Sequence, residues 1–107
     1  MEQRRTRRFQ LQLPLSIIRS GATRVELAGC TDNISSGGVL FSTEGEPDFD
    51  SPIEYVITLA RDAQQVVNLR CMGRIVRADR EEPGRDAAPP AYRIAATLER
   101  YEFVRER

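Results

Sequence analysis

The chain has 107 residues, of which 40% are hydrophobic and 30% charged, and 16 arginines balance 16 acidic residues to a formal net charge of zero. This size and composition are typical of one globular domain with a modest core and argue against a disordered chain. Histidine and lysine are both absent, which excludes Ser-His-Asp and Cys-His catalysis, imidazole metal sites and a phosphate-loop lysine. We therefore expect a protein that is not an enzyme.

The hydropathy of the chain and its two cysteines indicate the cellular compartment of the protein. No apolar run is long enough to span a bilayer, and Gln, Pro and Ser interrupt the N-terminal segment, so no signal-type stretch is present. We expect a soluble, cytoplasmic protein. Cys30 and Cys71 lie far apart and form no CxxC or metal-binding pattern, which in a cytosolic chain predicts two semi-buried free thiols. We expect no metal and no cofactor.

Charge is segregated along the chain. Residues 1–8 contain four arginines and one glutamate, a net charge of +3, whereas residues 9–107 contain twelve arginines and fifteen acids, a net charge of −3. Genomic composition can explain why every basic residue is arginine, but it does not explain this segregation. We predict a flexible basic arm over residues 1–8 and a single domain over residues 9–107, with an anionic partner contacting the arm.

The first predicted strand follows the arm directly. In FQLQLPLSI, apolar residues alternate strictly with Gln, Pro and Ser, which predicts a strand with one buried face. Its buried face is predicted to carry Phe9, Leu11, Leu13, Leu15 and Ile17. Pro14 is expected at a non-pairing position, an edge or a bulge. RSGAT predicts a turn near Gly21, and the next strand carries Val25 and Leu27 inward.

Four further strands are predicted in VLF, IEYVITLA, VVNLRCMGRIVRA and YRIAATLE, separated by loops rich in Gly, Pro and acidic residues. The acidic loop STEGEPDFD lacks the glycine and the terminal glutamate of a calcium-binding loop, so we expect a solvated connection. The tail RYEFVRER is long enough for one or two helical turns. Six strands of this kind indicate an all-β fold, a six-stranded antiparallel barrel in which closure removes exposed edges, and the tail predicts a short C-terminal helix after the barrel.

The arm RRTRRF is the first candidate for binding chemistry. Each arginine offers a planar fork of donors that matches the O6 and N7 acceptors of guanine or two oxygens of a phosphate. Arg4 and Arg8 are four residues apart, so in an extended arm they can point to the same side, whereas Arg7 lies out of phase with them. The alternative is a solvated, disordered terminus, which is the commonest state of a charged end.

The second candidate is DNISSGG, residues 32 to 38, at the junction of two strands. Asn33, Ser35 and Gly38 form an N-x-S-x-x-G pattern. Asn and Ser cap turns and glycines permit positive φ, so the segment alone is typical of a tight turn. Polar side chains and backbone N–H groups in a glycine-rich turn can also bind an anion.

Together, RRTRRF leading into the first strand and DNISSGGVLF some two dozen residues later resemble the PilZ family of cyclic di-GMP receptors. The family motifs are an R-x-x-x-R arm, matched by Arg4 and Arg8, and [D/N]-x-S-x-x-G, matched by Asn33, Ser35 and Gly38. Arg5 corresponds to a frequent additional arginine and Phe9 to the aromatic residue that enters the barrel. The resemblance extends to GRIVRAD and YRIAATLE, which look like the family's late strands.

The resemblance implies a six-stranded barrel whose arm wraps over cyclic di-GMP, in a bacterial signalling protein that acts as a switch on an unidentified protein partner. It implies that Arg4 and Arg8 contact guanine Hoogsteen edges and phosphates, and that Arg5 stacks on or neutralises a second ligand molecule. Asn33 would bind a guanine edge and Ser35 a phosphate or guanine amine, while Gly38 would allow close approach.

Two features depart from the family pattern: Ile94-Ala95-Ala96 stands where many members carry a glycine, and the terminal helix is short. Two other functions remain open. A nucleic-acid-binding barrel is disfavoured because the aromatic residues fall mostly on the apolar phase of the strands instead of forming a stacking platform. A PilZ-like module that binds a protein and no ligand is the second, because fold does not fix function.

Overall fold

The computed structural model describes residues 9–47, 51–62, 64–81 and 91–106. The predicted arm, with Arg4, Arg5 and Arg8, lies outside the described residues, as do Asp48 and Asp50 of the acidic loop. The division into an arm and a domain at residue 8 therefore stays a prediction.

Seven antiparallel strands make up the described chain. They are β1 Pro14–Ser20, β2 Thr23–Ile34, β3 Gly38–Thr43, β4 Pro52–Arg61, β5 Val66–Glu81, β6 Ala91–Thr97 and β7 Arg100–Glu106. Six of them follow the order β4-β1-β2-β3-β6-β5, and β4 also pairs with β5, so that the wall closes. The predicted all-β fold, a six-stranded antiparallel barrel, is confirmed. β7 is an additional strand, paired with the first half of β5.

The barrel interior is filled by side chains from alternate positions of the strands. The pattern is clearest on β4 and β5, where the inward residues Ile53, Tyr55, Ile57, Leu69, Cys71 and Ile75 are buried. Phe41 of β3 and Tyr55 meet at the centre with ring centroids 5.7 Å apart. Val25 and Leu27 of β2 pack against this core as partly buried residues. The inward faces predicted from alternation are therefore confirmed for these strands.

The first predicted strand is correct only in its second half. β1 begins at Pro14, whereas Phe9 and Leu11 are 53% and 44% exposed. Phe9 therefore does not enter the barrel, and its predicted role is wrong. The reason is that β4 borders this part of the chain only from Leu15 onwards, whereas residues 9–13 pair with β2 alone among the described residues. Pro14 is the first residue of a central strand, a position that proline tolerates because a backbone N–H is not required there.

The predicted terminal helix is also wrong. Residues 100 to 106 form β7, which pairs with residues 66 to 72 of β5 in continuous register. The aromatic and β-branched residues of this segment favour an extended strand when a free sheet edge is available, and β5 supplies that edge because β6 pairs only with its second half. YRIAATLE is consequently not the last strand.

The turn at Gly21 and the two cysteines were also predicted from the sequence. Gly21 has a φ of 61° in the turn between β1 and β2, which confirms the predicted turn. Both cysteines are free thiols, as predicted, but Cys30 is exposed and Cys71 is buried instead of both being semi-buried. Burial raises the pKa of the Cys71 thiol to about 12. Within the part of the chain that the structure describes, no helix is long and apolar enough to cross a membrane.

Candidate ligand-binding site

The N-x-S-x-x-G segment forms the tight turn between β2 and β3. The Ser35 N–H donates to the Gly38 carbonyl at 2.8 Å, and the Ser35 hydroxyl donates to the same oxygen at 3.2 Å. The Gly37 carbonyl accepts from the N–H of Leu98 at 3.1 Å, which ties the turn to the end of β6. Neither Gly37 nor Gly38 has a positive φ, so left-handed backbone conformation does not explain these two glycines.

Gly38 is explained by the space around it. A Cβ atom at this position would lie 3.1 Å from the Ala96 carbonyl oxygen on β6, which is tighter than an ordinary contact. By contrast, a Cβ atom at Gly37 would meet nothing within 4 Å. Glycine at position 38 therefore keeps β3 close to β6 and leaves the backbone at the turn open to approach from outside.

The chain that follows the arm is attached to this turn. Phe9 and Ile34 exchange two backbone hydrogen bonds, Phe9 N–H to Ile34 O at 2.8 Å and Ile34 N–H to Phe9 O at 2.9 Å. Ile34 stands between Asn33 and Ser35 in the sequence. The structure thus brings the residue that follows Arg8 beside the two polar residues of the second motif.

A buried threonine holds the segment between Phe9 and β1. The Thr31 hydroxyl donates to the Leu11 carbonyl and accepts from the N–H of Leu13 at 2.8 Å. The N–H of Thr31 also donates to the Leu13 carbonyl at 2.9 Å. Thr31 is fully buried, so these hydrogen bonds fix residues 11 to 13 against β2 even though Leu11 itself is exposed.

An open cavity of about 620 Å³ lies on the outer face of the barrel beside the turn. Its lining comes from the turn, β3, β5 and β6: Ser35, Gly37, Gly38, Val39, Leu40, Val76, Arg77, Ala95, Ala96 and Thr97. The volume falls within the range of about 300 to 1,000 Å³ that is common for small-molecule sites. The small side chain of Ala95, which alternates with the buried Ala96, helps to keep this surface concave.

A second, more polar groove of about 550 Å³ adjoins the first on the side of residues 10–12. It is lined by Gln10, Gln12, Asp32, Asn33 and Arg93. Asn33 pairs in register with Leu40, which lines the first cavity, so Asn33 stands at the border between the two depressions. Ser35 and Gly38 line only the first of them.

Carboxylates neutralise both described arginines that line the depressions. Arg93 Nη2 lies 2.7 Å from Asp32 Oδ2 and its Nη1 lies 3.5 Å from Glu81 Oε2. Arg77 Nε lies 3.3 Å from Asp79 Oδ2, in a pair whose two side chains are well exposed. The described part of this surface therefore carries little excess positive charge.

The three predicted residues that the structure describes lie within one six-residue stretch, with the attachment point of the arm beside them. Sequence reasoning missed Val76, Arg77 and Ala95 as lining residues. Val76 and Arg77 both lie on the outer surface because the register of β5 shifts between Ile75 and Arg77. An apolar Val76 out of phase with Gly73 and Ile75 was the available signal of that bulge.

Comparison with known proteins gives one result. The family profile of the PilZ domain matches residues 2–97, which is most of the chain and includes both motifs. No match was found among curated proteins or among solved structures. PilZ domains are in general cyclic di-GMP receptors without enzymatic activity. The match, the closed six-stranded barrel and the motif turn agree, and the chain belongs to the PilZ domain family.

Proposed function

We propose that this protein binds cyclic di-GMP on the outer face of the barrel, between the arm and the turn 35–38. In this proposal Arg4 and Arg8 contact guanine edges and phosphates, and Arg5 stacks on or neutralises a second ligand molecule. Asn33 binds a guanine edge and Ser35 a phosphate or a guanine amine. Gly38 lets the ligand approach the backbone closely.

The observation that carries the proposal is the pair of hydrogen bonds between Phe9 and Ile34. An extended chain advances about 3.3 Å per residue, and Arg8 directly precedes Phe9, whose partner Ile34 lies between Asn33 and Ser35 in the sequence. In this proposal the guanidinium groups of the arm therefore reach the same ligand that contacts the second motif. Two motifs separated by some two dozen residues in sequence can in this way serve one ligand.

The charge distribution gives independent support. Cyclic di-GMP carries two phosphates, and binding requires positive charge that is not already neutralised. Arg77 and Arg93 have carboxylate partners, so the described lining supplies mainly hydrogen-bonding groups and apolar surface. Arginines of the arm would supply the missing charge, in a form whose planar fork also recognises guanine.

The mechanism we propose is a switch without chemistry. An arm that is mobile in the free protein loses conformational entropy when the ligand orders it, and the ligand compensates through charge-assisted hydrogen bonds. The bound state then presents a fixed surface in place of a mobile cationic segment, and an unidentified partner protein would distinguish the two states. Binding should weaken with added salt, since charged groups form the contacts.

Calorimetric titration with cyclic di-GMP, GTP and a single-stranded oligonucleotide tests the proposal. We expect binding of cyclic di-GMP alone in the micromolar range. The double variant Arg4→Ala, Arg8→Ala should lose it, and Asn33→Ala should weaken it by about 5- to 150-fold, because a specific side-chain contact to a base edge is worth about 1 to 3 kcal/mol.

Arg7→Ala is the matched control, because it removes one arm charge at the position out of phase with Arg4 and Arg8. It should change the affinity for cyclic di-GMP least. Binding of the oligonucleotide without binding of cyclic di-GMP would favour a nucleic-acid-binding barrel, and no binding of any of the three would favour a module that contacts only proteins. Either result would contradict the proposal.

A further inference from the structure

β7 is the part of the fold that the PilZ profile does not cover. The profile matches residues 2–97, whereas β7 spans Arg100–Glu106. Among the described residues β7 pairs only with β5, so its second edge presents unpaired backbone N–H and C=O groups. Such an edge is a template for pairing with another strand.

The side chains of β7 add apolar surface to this edge. Tyr101 and Phe103 are 59% and 63% exposed, and their rings meet edge to face with centroids 6.1 Å apart. In register with Cys71 and Leu69, they share the sheet face that is buried inside the barrel, but no strand of the described chain lies opposite them.

We propose that β7 pairs with β7 of a second copy of this chain, in antiparallel register about a two-fold axis through Phe103. Closed homodimers are the commonest assemblies of soluble proteins, and an edge strand that pairs with itself about a two-fold axis is antiparallel. The two sheets then continue into one another across the axis, and the Phe103 side chains of the two copies lie side by side.

Charge determines the register. In an antiparallel pair, two directly opposed residues point to the same face of the sheet. A two-fold axis normal to the sheet preserves that face, so the axis must pass beside one residue and its own copy, and each possible register is named by that central residue. Centring on Phe103 opposes all seven residues of β7 and sets Arg100 opposite Glu106 of the second copy at both ends. It also places Tyr101 opposite Arg105, a pairing that favours cation–π contact.

The neighbouring registers are worse. Centring on Glu102 places two Glu102 side chains opposite each other, and centring on Val104 places Glu102 opposite Glu106; like charges in directly opposed positions destabilise a sheet. Each of these registers also pairs five residues per strand instead of seven. An edge protected against self-pairing would carry charges of one sign, whereas this edge carries both signs in positions that complement each other.

Sedimentation velocity over a wide range of protein concentration, without any nucleotide, tests the assembly. We expect a concentration-dependent monomer–dimer equilibrium. Arg100→Glu and Glu106→Arg should each raise the dissociation constant about tenfold, since two opposite-charge pairs become two like-charge pairs. The double variant Arg100→Glu, Glu106→Arg should restore the original value, and Arg24→Glu, an exposed charge change on β2, should have no effect.

Disulfide cross-linking tests the register. In a Cys30→Ser background, Phe103→Cys should form a cross-linked dimer under mild oxidation, because its two copies are opposed at the axis. Arg105→Cys, on the same face of β7, should not, because its two copies would be about 14 Å apart and a disulfide needs Cα atoms within about 7 Å.

A monomer at every concentration, no rescue by the charge reversal, or equal cross-linking at positions 103 and 105 would each overturn the proposal. These measurements need no cyclic di-GMP. Their failure is therefore distinguishable from failure of the proposed ligand binding.

Discussion

The first half of β5 belongs to two regions, the closed barrel and the added strand β7, and the two regions treat the same face of the sheet differently. Leu69 and Cys71 on β5 are buried, whereas Phe103 and Tyr101, their register partners on β7, are exposed. In the part of the chain that the structure describes, the difference is the opposite wall of the barrel, which covers the first half of β5 and does not extend over β7. Alternation in sequence thus identifies a strand, whereas burial depends on what lies across from it.

The same difference separates the two halves of FQLQLPLSI. Leu15 and Ile17 are buried in β1, whereas Phe9 and Leu11 are exposed although the alternating pattern is uninterrupted. On the N-terminal side of Pro14, the chain no longer pairs with β4. It is held there by hydrogen bonds to Thr31 and Ile34 of β2. In both places a strand pattern extends past the edge of the barrel.

The largest effect should come from removing one aromatic side chain from each region and comparing the two losses of stability. Phe41→Ala removes a fully buried ring and should lower the free energy of unfolding by about 4 kcal/mol. Phe103→Ala removes an exposed ring and should cost less than about 1 kcal/mol. Urea unfolding at a protein concentration low enough to keep the chain monomeric measures both, and similar costs would contradict the distinction between barrel and added strand.

A substitution at the junction of the two regions should come next. A Cβ atom at Gly73 would lie 1.9 Å from the Thr97 carbonyl oxygen, where β5 passes from pairing with β7 to pairing with β6. Gly73→Ala forces the backbone of β6 to shift and should destabilise the protein by about 3 kcal/mol. Gly37→Ala is the control, because a Cβ atom there meets nothing within 4 Å, and an equal loss in both would argue against the close contact.

Removal of the hydroxyl that holds the segment before β1 should have a smaller effect. Thr31→Val keeps the shape of the side chain but leaves the N–H of Leu13 and the carbonyl of Leu11 without the partner they have now. We expect a loss of about 2 kcal/mol, with hydrogen exchange at Leu13 accelerated more than exchange in β4. Thr23→Val, at an exposed position at the start of β2, should change neither quantity.

The smallest effect concerns reactivity and leaves stability untouched. Cys30 is exposed on β2, and Cys71 is buried in β5 with its pKa raised to about 12 by burial. At neutral pH one thiol per chain should react quickly with a disulfide reagent, and the second should react only on unfolding. The Cys30→Ser variant should abolish the fast phase, and fast reaction of that variant would show that the wall near Cys71 opens.

Much of this arrangement could be predicted from the sequence. Period-two alternation on β4 and β5 and the turns at Gly21 and 35–38 predicted the six strands of the barrel, and the resemblance of the two motifs to those of the PilZ family predicted the candidate site. The helix predicted for the tail was wrong because local preference in RYEFVRER is weak, and the free half-edge of β5 decided in favour of a strand. The outer-face residues Val76 and Arg77 were missed because a bulge breaks the alternation there.

By itself, the sequence determined the strand pattern, the absence of histidine and lysine, the segregation of charge and the two motifs with their order. These are local properties, fixed by residue type and spacing. Only the tertiary structure decided which strands have a wall opposite them, that Phe9 pairs with Ile34 beside Asn33 and Ser35, and that β7 keeps an unpaired edge among the described residues. Contacts between residues that are distant in sequence depend on how the barrel closes and on the register of its strands. The alternating pattern of a single strand predicts neither.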